Sequence, residues 1–317
     1  MDNKIQIENA TKLQEISLIE FNMGEKILSF LKDDDITEIM INDDRTVWIQ
    51  TFSKGLINAG MEVSSTQALS LIQVVASYAE RIVDVQNPIL ETELYDGSRF
   101  TGVVYPLASS PTVNIRKHSK RIYTFEEYIE QKNLLPEQKE LITKVLEDKE
   151  NILIVGATGS GKTTFGNACL EYLSTLDERL GILQDTLELR CNAKNRYYLK
   201  TSKAANVSMS ALVKVSLRMT PARIIIGEIR DGAALAMLRA WNSGHNGGFC
   251  TIHSDNARKA LRQLEGYIEE VSQTSQKNLI ADNINLIVVL KNKKVVEISR
   301  LSGLKENGDY NLNILFN

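Results

Sequence analysis

Residues 151–164 read NILIVGATGSGKTT, an apolar run that leads directly into a glycine-rich loop. The loop satisfies the pattern GxxxxGK[ST], which binds phosphate groups when a strand precedes it and a helix follows it. A random match is rare in a chain of 317 residues, so a glycine-rich turn without a ligand is the weaker interpretation. The stretch therefore predicts a strand, a phosphate-binding loop and a helix.

The residue types of this loop explain how it would hold a nucleotide together with Mg²⁺. Glycines let the backbone bend so that successive N–H groups point at phosphate oxygens, and the following helix adds its positive N-terminal end. Lys162 would place a charge at the β- and γ-phosphates, and the Thr163 hydroxyl is the expected Mg²⁺ ligand. The predicted nucleotide-binding residues are Gly156, Ala157, Thr158, Gly159, Ser160, Gly161, Lys162, Thr163 and Thr164.

Further apolar runs follow the loop and indicate a sheet that is buried on both faces. They read RLGILQD, RIIIGEI, GGFCTIH and INLIVVL, and helical or loop segments separate them. Near-continuous apolar strands are typical of parallel sheets covered by helices. Residues 136–317 are therefore predicted to form an α/β domain with a mainly parallel sheet.

The pattern before this domain is different. An amphipathic stretch from Leu13 to Leu31 predicts a helix, and Asp96-Gly97 separates two alternating runs that predict a hairpin. Residues 1–117 are accordingly predicted to form a small α+β domain. The polar and basic residues 118–135 are predicted to link the two domains.

The formal net charge of −3 hides an asymmetry between the two halves. Residues 1–150 carry 16 Lys and Arg against 25 Asp and Glu, whereas residues 151–317 carry 21 against 15. A basic half can meet nucleic acid, or opposite potentials can face each other in an assembly. Aromatic residues make up only 6%, which disfavours a surface that stacks nucleic-acid bases. We expect part of the basic excess beside the nucleotide, at Lys162, Arg218, Arg223 and Arg230.

Cysteine usage and the N-terminus bear on the compartment. The three cysteines are scattered and form no CxxC pair, which disfavours a disulfide framework and a zinc knuckle and indicates a reducing compartment. The first 21 residues lack the signal-peptide pattern, and no uncharged apolar run approaches the roughly 20 residues that span a bilayer. We expect a cytoplasmic protein.

Two acidic motifs follow predicted strands. Asp185 and Glu188 lie three residues apart after the run RLGILQ, where a carboxylate would orient or deprotonate the water that attacks a γ-phosphate. The alternative is that Asp185 caps a helix and Glu188 is solvated. Glu228 ends the run RIIIGE 66 residues after Lys162. This is the form of a Walker B element, whose carboxylate is expected near Mg²⁺ and in contact with it through water.

The segment GHNGGFCTIHS, residues 244–254, holds two of the three histidines. An isolated histidine is more often a structural hydrogen-bonding residue than a catalytic one. Here the glycines and the preceding buried strand indicate a loop close to the nucleotide, where His253 would sense the γ-phosphate. Zinc is disfavoured because no further Cys/His pair completes a tetrahedral set.

The four motifs, in this order, resemble the hallmarks of the secretion ATPases of bacterial type II and type IV machineries: Walker A, an Asp box, Walker B ending in Gly-Glu, and a His box. The stretches ITEIMINDDRTVWIQ, NPILETELYDGSRFTG and VNIRKHS resemble the conjugative-transfer branch, the TrbB-like ATPases. The resemblance covers about residues 27–300. It implies a small N-terminal domain followed by a RecA-like P-loop NTPase domain.

The resemblance also implies an ATP hydrolase that works as a ring of six subunits and uses Mg²⁺. It implies partners among the inner-membrane and cytoplasmic subunits of a secretion or conjugation apparatus, and peripheral membrane association through them. Direct contact with nucleic acid is not expected, because aromatic residues are few. Arg99 of DGSRF and Arg116 of NIRK are the candidate arginines that complete the ATP site, in their own or a neighbouring subunit; the alternative is ordinary ion-paired arginines. The implied catalytic set is Glu188, Glu228, Lys162, His253, Arg99 and Arg116.

One residue departs from the family pattern. The Asp box of the family usually starts Glu-Asp, whereas this chain has Gln184-Asp185. The family's catalytic acid matches Glu188, so activity is expected to survive. Two other functions stay open at this point: a type IV pilus retraction motor, and a RecA-like motor that translocates nucleic acid.

Overall fold

The computed structural model describes residues 2–51, 53–117, 122–202 and 205–317, with side chains from residue 12 onward. The chain divides into two compact units, Met1–Arg121 and Ile122–Asn317. Each unit has its own sheet and its own apolar core, so the protein is a mixed α/β protein with two sheets. The domain boundaries at 117 and 136 stay a prediction, and residues 118–121 of the predicted linker lie outside the described residues.

The first unit combines two helices with an antiparallel sheet of the order β3-β2-β1-β6-β5-β4 among its described residues. Its elements are α1 (Asp2–Lys32), β1 (Ile36–Ile41), β2 (Thr46–Thr51), β3 (Gly55–Glu62), α2 (Ser65–Tyr78), β4 (Ile89–Glu93), β5 (Arg99–Val103) and β6 (Thr112–Arg116).

The helices of this unit pack by one apolar face each. On α1, Ile19, Met23 and Ile27 recur every four residues and are fully buried, which is the spacing of one helix face. Gly24 interrupts the helical backbone with a φ of 73°, a conformation that glycine adopts without strain. The side chain of Gln67, on α2, donates to the carbonyl of Asn22 at 3.2 Å and thereby ties the two helices at this break.

The second unit combines a mainly parallel sheet with helices. Its elements are α3 (Phe125–Glu130), α4 (Pro136–Glu147), β7 (Ile152–Val155), α5 (Lys162–Leu173), β8 (Leu180–Gln184), β9 (Arg196–Lys200), α6 (Met209–Leu217), β10 (Arg223–Ile226), α7 (Ala233–Ala240), a π-helical turn (Trp241–His245), β11 (Phe249–Ile252), α8 (Ala257–Glu269), α9 (Lys277–Asn283), β12 (Leu286–Lys291), β13 (Lys294–Leu304) and β14 (Tyr310–Phe316).

The sheet of the second unit has the order β14-β13-β12-β7-β11-β10-β8-β9. Its strands pair in parallel from β12 to β9, and β13 and β14 add an antiparallel hairpin at one edge. The apolar runs predicted as strands form β7, β8, β10, β11 and β12, and all five are buried over almost their whole length.

Helices cover this sheet on both faces. Cys250 of β11 belongs to the core that contains Leu238 of α7 and Leu264 of α8. The neighbouring Phe249 points to the other face, where it contacts α5 so closely that a Cβ on Gly166 would meet its ring at 2.9 Å. Burial on both faces explains why these strands are continuously apolar.

The helix α3 packs within the second unit. Its Phe125 and Tyr128 are buried, and their rings lie 5.8 Å and 5.7 Å from the ring of Phe165 on α5. Thr124 starts α3 with a capping box. The Thr124 hydroxyl accepts from the Glu127 N–H, and the Glu127 carboxylate accepts from the Thr124 N–H. The segment before α4 is therefore anchored to the helix that follows the glycine-rich loop.

Candidate functional site

The parallel sheet of the second unit brings the four sequence motifs to one edge. Parallel strands end on the same side, so residues that follow their carboxyl ends lie close together. The glycine-rich loop follows β7, the motif with Glu188 follows β8, Glu228 follows β10 and His253 follows β11. These residues, far apart in the sequence, form one candidate nucleotide site.

The glycine-rich loop has the geometry of a phosphate cradle. Gly159 and Gly161 adopt φ values of 73° and 96°, and α5 begins at Lys162 with Gly161 as its N-cap. The Lys162 ammonium, largely buried, donates to the carbonyls of Gly156 at 2.9 Å and Ala157 at 3.0 Å. This arrangement curls the backbone around the lysine and leaves the helix N-terminus facing the loop.

One polar atom of the loop fits a bound ligand. The hydroxyl of Ser160 is buried and has no hydrogen-bond partner among the described residues. Buried hydroxyls are nearly always paired, so a group that accepts a hydrogen bond belongs next to it. Phosphate oxygens are such acceptors, and the residues of the loop therefore fit a nucleotide.

His253 joins the loop to the end of β10. Its Nδ1 lies 3.2 Å from the Lys162 ammonium and 3.4 Å from the Thr158 hydroxyl, and its Nε2 lies 2.7 Å from a carboxylate oxygen of Glu228. A lysine ammonium can only donate, so we assign Nδ1 as the acceptor and the ring proton to Nε2, on the side of Glu228. The histidine thus connects a phosphate-loop cation with a carboxylate.

The other carboxylate oxygen of Glu228 accepts from Arg230 at 2.6 Å. This hydrogen bond raises the pKa of the Arg230 guanidinium; burial opposes the rise, and the charges of Asp185 and Glu188 add to it. The three carboxylates and the arginine therefore form one electrostatic cluster. Arg230, expected beside the nucleotide, is a direct partner of the Glu228 carboxylate.

The two acids that follow β8 face different partners. Glu188 accepts from the Thr163 hydroxyl at 3.2 Å, whereas Asp185 accepts from the Thr201 hydroxyl at 3.0 Å. A hydroxyl oxygen is a hard donor of the kind that Mg²⁺ prefers, so Thr163 fits a site for this ion, with Glu188 beside it. The geometry distinguishes two acids that their spacing alone left open, because it brings Glu188 to the glycine-rich loop and Asp185 to Thr201.

One expected residue, Arg223, and one further histidine, His245, lie elsewhere. Arg223 begins β10 and therefore lies at the opposite edge of the sheet from Glu228; its side chain is 1% exposed, forms an ion pair with Glu178 and donates to the Gly247 carbonyl at 2.8 Å. The expectation that Arg223 lies beside the nucleotide is wrong, because its guanidinium donates to buried backbone carbonyls at the other edge of the sheet. His245, the other histidine of the His box, contacts the Pro221 carbonyl at 2.8 Å at that same edge.

The two candidate arginines lie in the first unit. Arg99 and Arg116 are directly opposite each other on β5 and β6, and Glu93 and Glu38 stand opposite them on the flanking strands β4 and β1. Arg116 lies 3.6 Å from Glu38. Paired residues of an antiparallel sheet share a face, so two guanidinium groups stand side by side between two carboxylates. Their action on a nucleotide stays a prediction.

Three contacts of the site had no clear signal in the sequence. The Lys293 N–H donates to the Ser160 carbonyl at 2.9 Å, so the turn between β12 and β13 rests on the glycine-rich loop. The side chains of Gln184 and Asn167 bind the backbone around Glu188. Amide side chains and turn residues are common throughout a chain, and the contacts of Lys293 and Asn167 join residues that are distant in the sequence.

The chain is similar to known proteins over the part that carries these motifs. The family model described as "Type II/IV secretion system protein" matches residues 23–296. The chain belongs to this family. This member is 37% identical over 296 residues to the conjugal transfer protein TrbB of Rhizobium radiobacter, covering 91% of each chain. It is 28% identical over 318 residues to the type IV secretion system protein VirB11 of Bartonella henselae, covering 88% of each. The predicted resemblance, conjugative branch included, is confirmed.

The fold of this chain is similar to those of several solved structures. The X-ray structure of the Legionella pneumophila ATPase DotB matches with a TM-score of 0.60 at 16% identity, over 91% of this chain and 78% of that one. The pilus retraction motor PilT with bound ADP matches with a TM-score of 0.58 at 18% identity, over 92% and 82%. In the described part of the chain, the helices are all too short or too polar to cross a membrane.

Proposed function

We propose that this protein is an ATPase that powers transfer by a conjugative type IV secretion machine, and that its second unit is a RecA-like P-loop domain. The observation that carries the proposal is the continuous set of contacts from Lys162 through His253 to Glu228. This set joins a phosphate-binding cation to a carboxylate at the end of a neighbouring strand. Such an arrangement is suited to hydrolysis of a γ-phosphate.

The loop residues bind the substrate in this proposal. The N–H groups of the loop and the N-terminus of α5 hold the phosphates, and Lys162 exchanges part of its bonds to the carbonyls of Gly156 and Ala157 for phosphate oxygens. Thr163 holds Mg²⁺, with Glu228 reaching it through water. When bound, the ion neutralises charge on the β- and γ-phosphates.

Glu188 is the proposed base that orients and deprotonates the attacking water. Its carboxylate contacts the hydroxyl of Thr163, next to the proposed γ-phosphate position. Glu228 is less suited to that role, because Arg230 donates to one of its oxygens and the Nε2 atom of His253 lies 2.7 Å from the other. Gln184 does not remove the base, since it occupies the position of the first acid of the motif and Glu188 the last.

His253 is the proposed sensor of the γ-phosphate. Its ring touches both the Lys162 ammonium and the Glu228 carboxylate. A γ-phosphate that draws Lys162 away changes the hydrogen bond at Nδ1 and, through the ring, the contact at Nε2. The end of β10 would thereby differ between the ATP and ADP states, which is the differential interaction that a motor requires.

The arginines of the first unit are proposed to complete the nucleotide site. Arg99 and Arg116 stand side by side on one sheet face, where two like charges are unfavourable without anions. Glu93 and Glu38 supply part of that negative charge, and a phosphate group would supply more. A guanidinium at the γ-phosphate stabilises charge in the transition state.

The relatives support the biological setting of the proposal. The conjugal transfer protein TrbB, 37% identical over nearly the whole chain, favours conjugation over pilus retraction. We propose a ring of six subunits at the cytoplasmic face of the inner membrane, bound to inner-membrane and cytoplasmic subunits of the apparatus. The opposite charges of residues 1–150 and 151–317 would favour contact between neighbouring copies.

ATP turnover and particle size test this proposal together. Wild type, Lys162→Ala and Glu188→Gln would be compared by phosphate release with Mg²⁺ and by light scattering after gel filtration. We expect an oligomer with ATPase activity, loss of ATP binding in Lys162→Ala, and a fall in turnover of about 100-fold or more with ATP binding retained in Glu188→Gln.

The assembly can be probed further with salt. If the opposite charges hold the ring, raising ionic strength shifts it toward smaller species, because salt screens exposed charges. A monomer that hydrolyses no ATP at high protein concentration with Mg²⁺ would contradict the proposed function. A tenfold rise in turnover in Gln184→Glu would contradict the choice of Glu188 as the base.

A further inference from the structure

The backbone that carries Glu188 is held by two buried amide side chains. The Oε1 atom of Gln184 accepts from the N–H of Glu188 at 3.0 Å and of Leu189 at 2.9 Å. The Oδ1 atom of Asn167 accepts from the N–H of Arg190 at 2.8 Å. The N–H groups of Leu189 and Arg190 are therefore satisfied by side chains rather than by a neighbouring strand, and the Glu188 N–H is shared between Gln184 and the Thr186 carbonyl, which lies 2.7 Å away.

Asn167 also holds the loop from its other end. Its Nδ2 donates to the Glu188 carbonyl at 3.4 Å, so one amide receives a hydrogen bond from the residue at 190 and gives one to the residue at 188. Asn167 lies four residues after Thr163 on α5, and residues four apart share a helix face. The same face of α5 thus binds the Glu188 side chain through Thr163 and its backbone through Asn167.

Burial makes these bonds effective. Gln184 is 2% exposed and Asn167 is 4% exposed, so water does not readily replace either amide. Losing Gln184 removes the acceptor of the Leu189 N–H, and losing Asn167 removes that of the Arg190 N–H. The Nε2 atom of Gln184 has no hydrogen-bond partner among the described residues. Only its Oε1 atom holds the loop, and a glutamate carboxylate could accept the same two hydrogen bonds. This explains physically how a glutamine can stand where the family usually has a glutamate.

We propose that Gln184 and Asn167 are positioning residues that fix Glu188 against Thr163. The proposal rests on the proposed ATPase function. The two amides touch the backbone of the loop, and they act on the reaction through the place of the Glu188 carboxylate. A loop without them keeps Glu188 in the chain but lets its carboxylate move away from the attacking water, and small displacements of this kind are costly to the rate.

The test uses near-isosteric variants of the full-length protein. Gln184→Met and Asn167→Leu remove the amides, Gln184→Glu keeps an acceptor, and Gln138→Met is the matched control. Gln138 is also a buried glutamine of the second unit, and its Oε1 accepts from a backbone N–H, that of Leu135, at 2.9 Å. The measurements are kcat and KM for ATP, together with hydrogen exchange of residues 184–191 in the nucleotide-free protein.

We expect kcat to fall about 100-fold in Gln184→Met and in Asn167→Leu while KM stays within about threefold, because substrate binding does not use these amides. Gln184→Glu should recover kcat to within about threefold of wild type, and Gln138→Met should change neither constant. Exchange of residues 184–191 should become about tenfold faster in the two variants that lose an amide, and Gln138→Met should leave it unchanged.

The two measurements separate this proposal from the proposed function. A wild-type protein without ATP turnover would contradict the ATPase proposal. Hydrogen exchange of residues 184–191 would then show by itself whether the amides hold the loop. Unchanged exchange in Gln184→Met and Asn167→Leu overturns the positioning role. Faster hydrogen exchange with unchanged kcat also overturns it. So does a loss of kcat in Gln184→Met that Gln184→Glu does not recover. If Gln184→Met does not fold, Asn167→Leu carries the same test.

Discussion

The two edges of the parallel sheet in the second unit both carry charged and polar side chains, but they use them differently. At the carboxyl edge, His253 contacts both Lys162 and Glu228. At the amino edge, Arg223 and His245 contact backbone carbonyls of Gly247 and Pro221. Side chains that satisfy backbone groups stabilise a fold, whereas side chains that converge on one another around a glycine-rich loop are available for chemistry.

Two histidines of one motif illustrate this difference. His245 and His253 lie eight residues apart, on either side of β11. A strand of four residues carries the chain from one edge of the sheet to the other, so the two rings belong to different environments. The motif as a string of letters does not separate them, but the direction of the strand does.

The largest expected effect is at the carboxyl edge. Glu228→Gln keeps the size of the side chain and removes the charge that His253 and Arg230 face. Turnover should fall about 100-fold or more, whereas ATP binding should change less than about threefold, because the loop itself is intact. Phosphate release and equilibrium binding of a fluorescent ATP analogue measure the two effects.

Glu178→Gln is the matched control for that variant. Glu178 lies at the amino edge, paired with Arg223 and Lys149. The same chemical change there should lower thermal stability and leave turnover of the folded protein within about twofold of wild type. An equal loss of turnover in both variants would remove the functional difference between the two edges.

Arg223→Met should produce the next largest effect, on stability. The variant leaves the carboxylate of Glu178 and two backbone carbonyls without their buried donor. Breaking a buried pair costs about 3 kcal/mol or more, so the unfolding midpoint of the second unit should fall by about 6–12 °C. Calorimetry measures the midpoint, and an unchanged midpoint would contradict a structural role for Arg223.

The pH dependence of this stability loss has a definite sign. Burial raises the pKa of Glu178, but hydrogen bonds from Arg223 and Lys149 outweigh it, and the pKa lies below its ordinary value. A carboxylate with a lowered pKa stabilises the folded state fully above its unfolded-state pKa and loses this contribution as the pH falls through the folded value. The gap in stability between wild type and Arg223→Met should therefore narrow below about pH 4.5.

The smallest expected effect separates the two histidines. His253→Gln should lower turnover about tenfold, because the contact between Lys162 and Glu228 is interrupted. His245→Gln should change turnover less than about twofold and cost about 1 kcal/mol of stability, from its bond to Pro221. Turnover and thermal melting of both variants check these expectations. A larger loss of turnover in His245→Gln than in His253→Gln would contradict the assignment of function to the carboxyl edge.

Much of the second unit could be predicted from its sequence. The run before Gly156 is apolar over its whole length, which a strand buried on both faces requires, and the following glycines and Lys162 have a spacing with few uses. The strand β3, in contrast, alternates between exposed and half-buried residues and had no apolar signal. Its place comes from pairing with β2 at the edge of the first sheet.

The acids of the site show the limit of prediction from local pattern. Asp185 and Glu188 are three residues apart and chemically alike, so spacing alone left both open. The fold distinguishes them because the loop after β8 turns one toward Thr201 and the other toward Thr163. Gln184 and Asn167 accept hydrogen bonds from the backbone of that loop, and the contact of Asn167 depends on the packing of α5 against the sheet.

The sequence by itself determined the phosphate-binding loop, the buried parallel strands and the family. These features follow from local chemistry: glycines permit the bend, a lysine supplies charge, and apolar residues suit a sheet covered on both faces. Tertiary structure alone decided which acid meets Thr163, which histidine meets Lys162, and that Arg223 serves the fold. Each of these depends on where a strand ends and what packs beside it, and contacts between distant residues are set by the whole fold rather than by neighbours in the chain.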